Sequence, residues 1–364
     1  MNTPIGLPKT AVDTPALVVD LEALSANIES IARTCRENGI AWRPHAKGHK
    51  TPEIARAEIA AGAIGVTCAK LGEAEVMAEA GIHDILIANQ IVGQTKIGRL
   101  VSLLDCSDVI VAVDGVQNIS ELAEAASAAK RRLRTVIEVN IGMNRAGVEP
   151  GPEVVALAAA IGRYPSLKFA GLMGWESHAT TIPDPSAKRA AIAQAVGLLT
   201  SSAAACRAAG HPALVVSCGG TGTLPYCAEQ PGVTEIQAGG GIFGDEHYRT
   251  HHHVDFRRAL TLMTTVISRP TPLRIIVDAG RKAMSGDAAM PLPIGIPGVE
   301  SVKLSAEHAT IELSAGCEAP AVGSPVEFAV GYSDTTVHLH EQIYAVRGNR
   351  INEVWRVSGR GKLS

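Results

Sequence analysis

Eight short apolar runs, separated by alanine-rich segments of helical length, constrain this chain more than any other feature. The runs are Trp42–His45, Gly65–Ala69, Asp84–Ala88, Val109–Val113, Thr135–Val139, Phe169–Gly174, Ala213–Ser217 and Glu235–Ala238. Between them lie Pro52–Ala61, Gly72–Ala80, Val116–Arg131, Pro152–Arg163 and Ala187–Ala209. Gly62, Gly81 and Gly210 stand where helices of this kind end. Short buried strands alternating with helices predict an α/β fold, and eight of them predict a (β/α)8 TIM-type barrel. An open doubly wound sheet is the alternative, though it usually has fewer strands.

Beyond about Asp255 the pattern changes to Val- and Thr-rich runs punctuated by Gly and Pro, which predicts a second, mainly β domain. The early run Ala16–Asp20 lies outside the eight. The expected division is therefore a barrel over 21–255, with 1–20 and 256–364 forming the β-rich part.

Composition removes several function classes. The net charge is -3 and aromatic residues make up 3%, so neither a nucleic acid nor a membrane surface is an expected partner. No apolar run reaches the ~18 residues of a membrane span. The seven cysteines are scattered and contain no CxxC pair, which suits reduced thiols in a cytoplasm, and the first residues lack the order of a secretion signal.

Two stretches carry chemistry. Trp42-Arg43-Pro44-His45-Ala46-Lys47-Gly48-His49-Lys50 gathers two lysines, two histidines and an arginine at the end of the first run. Strand alternation places Arg43, His45 and Lys47 on one face. A lysine beside other cationic groups has a lowered pKa and becomes a nucleophilic amine able to form a Schiff base. A basic, solvated loop is the plain alternative. The second stretch, Ser217-Cys218-Gly219-Gly220-Thr221-Gly222-Thr223, follows the seventh run, and Gly239-Gly240-Gly241 follows the eighth. Glycine backbone N–H groups form anion-binding concavities, with Ser217, Thr221 and Thr223 adding hydroxyls, and phosphate sites recur late in such barrels. A reactive lysine at the first strand and a phosphate cradle at the last two are neighbours around a closed barrel. Together they suggest pyridoxal 5'-phosphate, which brings an aldehyde and a phosphate.

The chain resembles the D-threonine aldolase and D-serine dehydratase family of fold type III pyridoxal-phosphate enzymes, which share an alanine racemase-like N-terminal barrel. The resembling residues are Asp13–Asp20, Arg43–Lys50, Gly142-Met143-Asn144-Arg145-Ala146-Gly147, Ser217–Thr223, Glu235–Gly241, Asp278-Ala279-Gly280 and Trp355–Lys362. The resemblance implies that Lys47 is the Schiff-base lysine. It places Arg145 near the phenolic oxygen of the cofactor, Trp175 near its ring and Gln237 near its pyridine nitrogen. Ser217, Gly220, Thr221, Gly222, Thr223, Gly239 and Gly240 complete the expected cofactor contacts. His45 and Glu176 are expected acid–base groups alongside Lys47, and His178 is a further candidate. The resemblance also implies a homodimer with active sites at the interface and a small amino-acid substrate.

The expected activity is cleavage of β-hydroxy D-amino acids to glycine and an aldehyde. A dehydratase-like β-elimination, a racemase and a non-catalytic cofactor-binding protein are the alternatives. The aldolases and dehydratases use a divalent cation held by a histidine and, two residues later, an aspartate or cysteine. Here Asp334 fits the second position, but Tyr332 stands where the histidine is expected. Tyrosine is a poor ligand for hard cations at neutral pH. His338 and His340, expected to share a strand face, and the run His251-His252-His253 are other metal candidates.

Overall fold

The computed structural model describes residues 4–364. The chain divides into two compact units. One holds the segment ending at Ile28, with Gly48–Thr51 and Gly241–Arg360; the other holds Glu29–Lys47, Pro52–Gly240 and Gly361–Ser364. The division falls at 28/29 and 240/241, where the sequence pattern suggests 20/21 and 255/256. Asn27 explains part of the difference. Its amide donates to the carbonyls of Ile242 and Arg257 and accepts from the Arg257 N–H, tying the start of the first helix to residues 242–257.

The larger unit is the barrel. Its strands are β2 (Ala41–Trp42), β3 (Val66–Cys68), β4 (Asp84–Gln90), β5 (Asp108–Val113), β6 (Leu133–Glu138), β7 (Leu167–Met173), β8 (Val215–Cys218) and β9 (Glu235–Ile236), after β1 (Ala16–Asp20) in the other unit. All pair in parallel in the order β2-β9-β8-β7-β6-β5-β4-β3. Short bonds close the ring between its two ends: Ile64 N–H to Trp42 O, Thr67 N–H to Pro44 O and Ala46 N–H to Thr67 O, each 2.8 Å. The eight strands expected from the sequence are therefore the eight observed. Their residues read as unbroken apolar runs because both faces are buried: five of the six residues of β5 are inaccessible.

Helices α1 (Leu21–Glu37), α2 (Pro52–Ala60), α3 (Leu71–Glu79), α4 (Gln94–Leu103), α5 (Val116–Ala128), α6 (Pro152–Gly162), α7 (Pro185–Ala208) and α8 (Leu224–Ala228) alternate with the strands. Local chemistry sets their ends. Asp184 caps α7 by accepting from the Ala187 N–H, and Pro185 occupies the first position, where its missing N–H costs nothing. Glu73 reaches back from α3 to the N–H groups of Ala69 and Lys70.

The second unit is mainly β. Strands β10 (Leu260–Thr271), β11 (Arg274–Val277), β12 (Leu292–Ile294), β13 (Val299–Leu304), β14 (Ala309–Leu313), β15 (Pro325–Ala329), β16 (Gln342–Arg347) and β17 (Arg350–Arg356) join β1 in one sheet. β1 lies between β10 and β16. A short helix, α9 (Glu246–Thr250), is capped by Asp245, whose other oxygen accepts from the Ser333 N–H and hydroxyl at 2.7 and 2.6 Å.

Burial pushes the Asp245 carboxyl up to about 7 against these hydrogen bonds, and the charge of Asp334 adds to the rise. A carboxyl raised in the folded state binds its proton more tightly there than in the unfolded chain. Its contribution to stability is complete below about pH 3.8 and is lost as pH rises through about 7, at up to about 1.4 kcal/mol per pH unit. Thermal melts of wild type and Asp245→Asn should therefore differ by an amount that changes in favour of the variant between pH 5 and pH 8. A constant difference would show that Asp245 does not titrate in that window.

Candidate active site

The mouth of the barrel is built from the segments that follow β2, β6, β7, β8 and β9. After β2 the backbone continues to pair, Arg43 N–H with Ile236 O and His45 N–H with Gln237 O, so Lys47 emerges from a segment held on both sides. Lys47 is half-buried, and its backbone N–H lies 3.4 Å from His45 Nδ1. Lys50 is a different case. Its backbone is left-handed at φ 53, it is buried, and its carbonyl accepts from the Gly359 N–H at 2.9 Å.

The expected cationic face does not form as the alternation suggested. Arg43 is buried at 2% exposure, its Nε 3.0 Å from Glu235 Oε2 and its Nη1 2.9 Å from Asp84 Oδ1. Its charge is neutralised within the barrel and adds nothing to the cation density at Lys47.

The glycine segments fit an anion. Gly222 is buried, and its N–H has no hydrogen-bond partner among the described residues. A buried N–H without a partner is costly, and an anion satisfies it. Gly220 and Gly239 are required by close approach. A Cβ on Gly220 would lie 2.3 Å from the Trp175 ring, and one on Gly239 would lie 2.6 Å from the His45 nitrogen. Trp175 thus packs across the loop. Thr221 and Gly240 are buried in the same two segments.

Three expected site residues turn out to serve the loop from beneath. Ser217 is fully buried, and its hydroxyl donates to Glu235 Oε1 at 2.8 Å, so it has no proton for a phosphate. Thr223 donates to Glu176 Oε1 at 2.5 Å. Glu176, read from sequence as an acid–base group, is fully buried. It accepts from Thr223, from the Cys227 thiol at 3.3 Å and from the Gly219 N–H at 3.4 Å. It braces the loop. Cys218, Cys227 and Glu176 place their ligand atoms within 4.8 Å of one another. The Cys227 thiol is held well above its ordinary value by its bond to Cys218, by burial and by the Glu176 charge. A neutral, hydrogen-bonded thiol pair results, not the thiolates that a soft metal takes.

Arg145 sits 59% exposed on a loop after β6, 3.8 Å from Glu138 Oε1. Asn140 shapes that loop by accepting from the Gly142 and Asn144 N–H groups, and the exposed His178 packs its ring against Gly142. His178 therefore supports the arginine loop. Glu138 itself was not foreseen. It is buried, its carboxyl pushed up mainly by burial, and it accepts from Gln90 Nε2 at 2.6 Å; the same amide reaches Asp114 at 3.1 Å. The signal was available: Gln90, Asp114 and Glu138 all lie at or just past barrel strand ends.

In the β unit, Tyr332 and Asp334 begin a short 3-10 turn, Ser333–Thr335. Burial, followed by the charge and hydrogen bond of Asp334, holds the Tyr332 phenol well above its ordinary value. One carboxylate beside a neutral phenol does not fit a hard divalent cation, which takes six or more oxygen ligands and prefers carboxylates. His338 and His340 are not on a strand. They fall in and after a second turn, Val337–Leu339, with His338 exposed and His340 Nε2 2.7 Å from Ala283 O. His251 and His252 pack with His247, a residue that sequence reading passed over and whose ring lies 4.5 Å from that of Tyr332.

Comparison with known proteins places this architecture. Residues 19–247 match the model of the alanine racemase N-terminal domain, and 259–346 match a putative serine dehydratase domain. The chain belongs to the alanine racemase N-terminal domain family. Within it, the chain is 33% identical to a D-threonine aldolase of Arthrobacter sp. over 98% of its own length and 95% of the relative's. It is 32% identical to the 3-hydroxy-D-aspartate aldolase of Paracoccus denitrificans, strain Pd 1222, over 98% and 94%. The crystal structure of D-threonine aldolase from Filomicrobium marinum superposes with a TM-score of 0.95 at 34% identity, covering all of both chains. The racemase-like family depends on pyridoxal 5'-phosphate, and the Gly222 N–H in its buried glycine segment fits the phosphate. Among the described residues, no helix is long and apolar enough to cross a membrane.

Proposed function

We propose that this protein is a pyridoxal-phosphate lyase that cleaves β-hydroxy D-amino acids to glycine and an aldehyde. The observation that carries this reading is the full-length likeness to D-threonine aldolases. The geometry of the barrel mouth agrees with it.

Bound in the barrel, pyridoxal phosphate supplies an aldehyde for the lysine and a ring that takes up the electron pair released at Cα. Lys47 Nζ is the amine that holds it. The Gly222 N–H binds the phosphate, with the segment at Gly239 and Gly240 beside it. Arg145 supplies positive charge above the buried Glu138, and Gln237 meets the ring nitrogen. Trp175 closes the loop side and limits water. His45, next to the Lys47 backbone, is the proton carrier of the site. Ser217, Thr223 and Glu176 position the loop without touching the reacting atoms. A homodimer with shared active sites and a cytoplasmic location complete this reading. All seven cysteines are free, which suits a reducing compartment.

Incubation with D-threonine should yield glycine and acetaldehyde in equal amounts. An oxo acid with ammonia would instead make the protein a dehydratase, and inversion alone would make it a racemase. Because the Tyr332–Asp334 donor set does not fit a cation, a chelator should leave the rate within about twofold. A loss of about tenfold or more that is restored by a divalent ion would overturn that part.

A further inference from the structure

Gln237 is backed by a chain of buried side chains whose donors and acceptors can be counted. Its Nε2 lies 3.0 Å from Ser217 Oγ, and Ser217 Oγ lies 2.8 Å from Glu235 Oε1. The other Glu235 oxygen, Oε2, is 3.0 Å from Arg43 Nε, and Arg43 is anchored in turn by Asp84 at 2.9 Å. Ser217, Glu235 and Arg43 are each at most 2% exposed.

An arginine is always charged, so the paired Glu235 is a carboxylate, which only accepts. A serine hydroxyl has one proton. That proton goes to Glu235, so toward Gln237 the oxygen of Ser217 can only accept. The atom of Gln237 that faces it must therefore be the amide nitrogen. This conclusion comes from the proton count and holds whichever way the amide is first drawn. The backbone of Gln237 is fixed as well, its N–H shared between the carbonyls of Cys218 and Gly219, both at 3.1 Å.

We propose that Ser217 and Glu235 form an orienting relay that turns the Gln237 amide nitrogen inward and its carbonyl oxygen outward, so that the group recognised there is a hydrogen-bond donor. The inference rests on the reading that Gln237 meets the cofactor's ring nitrogen, and it assigns that nitrogen as protonated. A protonated ring withdraws electrons more strongly than a neutral one, which serves the loss of a substituent from Cα. A cationic side chain at this position would enforce the neutral ring. Ser217 and Glu235 are positioning residues in this scheme and do not touch the substrate.

The test is the 15N chemical shift of ring-labelled pyridoxal phosphate in the holoenzyme, a readout that a purely structural role would not move. Wild type and Gln237→Glu, which keeps an acceptor, should show the protonated value. Gln237→Arg should show the neutral value. Ser217→Ala frees the amide to rotate and should lower the protonated fraction to below half, while Ser217→Thr, which keeps the hydroxyl, should restore it. A neutral ring in wild type, or an unchanged signal in Ser217→Ala, would overturn the relay. Borohydride reduction and peptide mapping of the same samples separates the two levels of the argument. Cofactor fixed to Lys47 together with a neutral ring sinks only the relay, whereas failure to retain cofactor sinks the relay and the functional reading together.

Discussion

Lys47→Ala should purify colourless and lose at least about 10^4-fold in turnover of D-threonine, the scale on which removal of a covalent nucleophile acts. The expectation rests on the separate environments of the two lysines. Lys47 is half-buried at the barrel mouth next to His45, while Lys50 is buried with its carbonyl bonded to Gly359. Borohydride should trap the cofactor on the Lys47 peptide in wild type, and Lys50→Ala should remain coloured. Trapping on Lys50 in wild type would reverse the assignment and would detach the mechanism from the glycine segments as placed here.

The second large effect concerns stability. In Arg43→Met, Glu235 keeps its carboxylate at 3% side-chain exposure with no cation beside it. Breaking a buried pair from one side costs about 3–5 kcal/mol, because the remaining charge is left unpaired in a poorly polarisable interior. Urea unfolding of Arg43→Met should show a loss on that scale. Replacing both partners removes the stranded charge, so Arg43→Met with Glu235→Met should recover a large part of it. If the double variant loses the sum of the two single losses, the pair is not coupled. The hydrogen bond from Arg43 to Asp84, at 32% side-chain exposure, contributes less, since water screens it.

The barrel was legible because its strands are buried on both faces and read as apolar blocks whatever their partners. Polar side chains were read less well, and the reason is register. Arg43, Glu235 and Ser217 are 18 to 192 residues apart in pairwise separation. They meet only because β2 and β8 both pair with β9, setting Ala41 and Ser217 each opposite Glu235. No local pattern announces that Arg43 will be neutralised or that the Ser217 proton will be used internally. The partners of Glu176 were hidden for the same reason: Thr223 and Cys227 come from the loop and helix after the next strand. His338 and His340 failed differently. Their alternation suits a strand, but Ser333 is held by Asp245 and the Thr336 hydroxyl accepts from the Ser285 N–H, which fold the segment into successive turns. His247 had no sequence signal beyond its own identity.

The ring of strands has one weak joint. Between β2 and β3 there is no extended ladder, only the bridge of His45 with Thr67 and a few neighbouring bonds. The joint lies two residues before Lys47. Seven of the eight contacts around the ring can persist when it opens, yet Lys47, the proposed Schiff-base lysine, loses its place at once. The least protected backbone amides of the barrel wall should accordingly be those of Thr67 and Ala46. Slow exchange with solvent at that seam would then report whether the active site is assembled, independently of whether the barrel as a whole is folded.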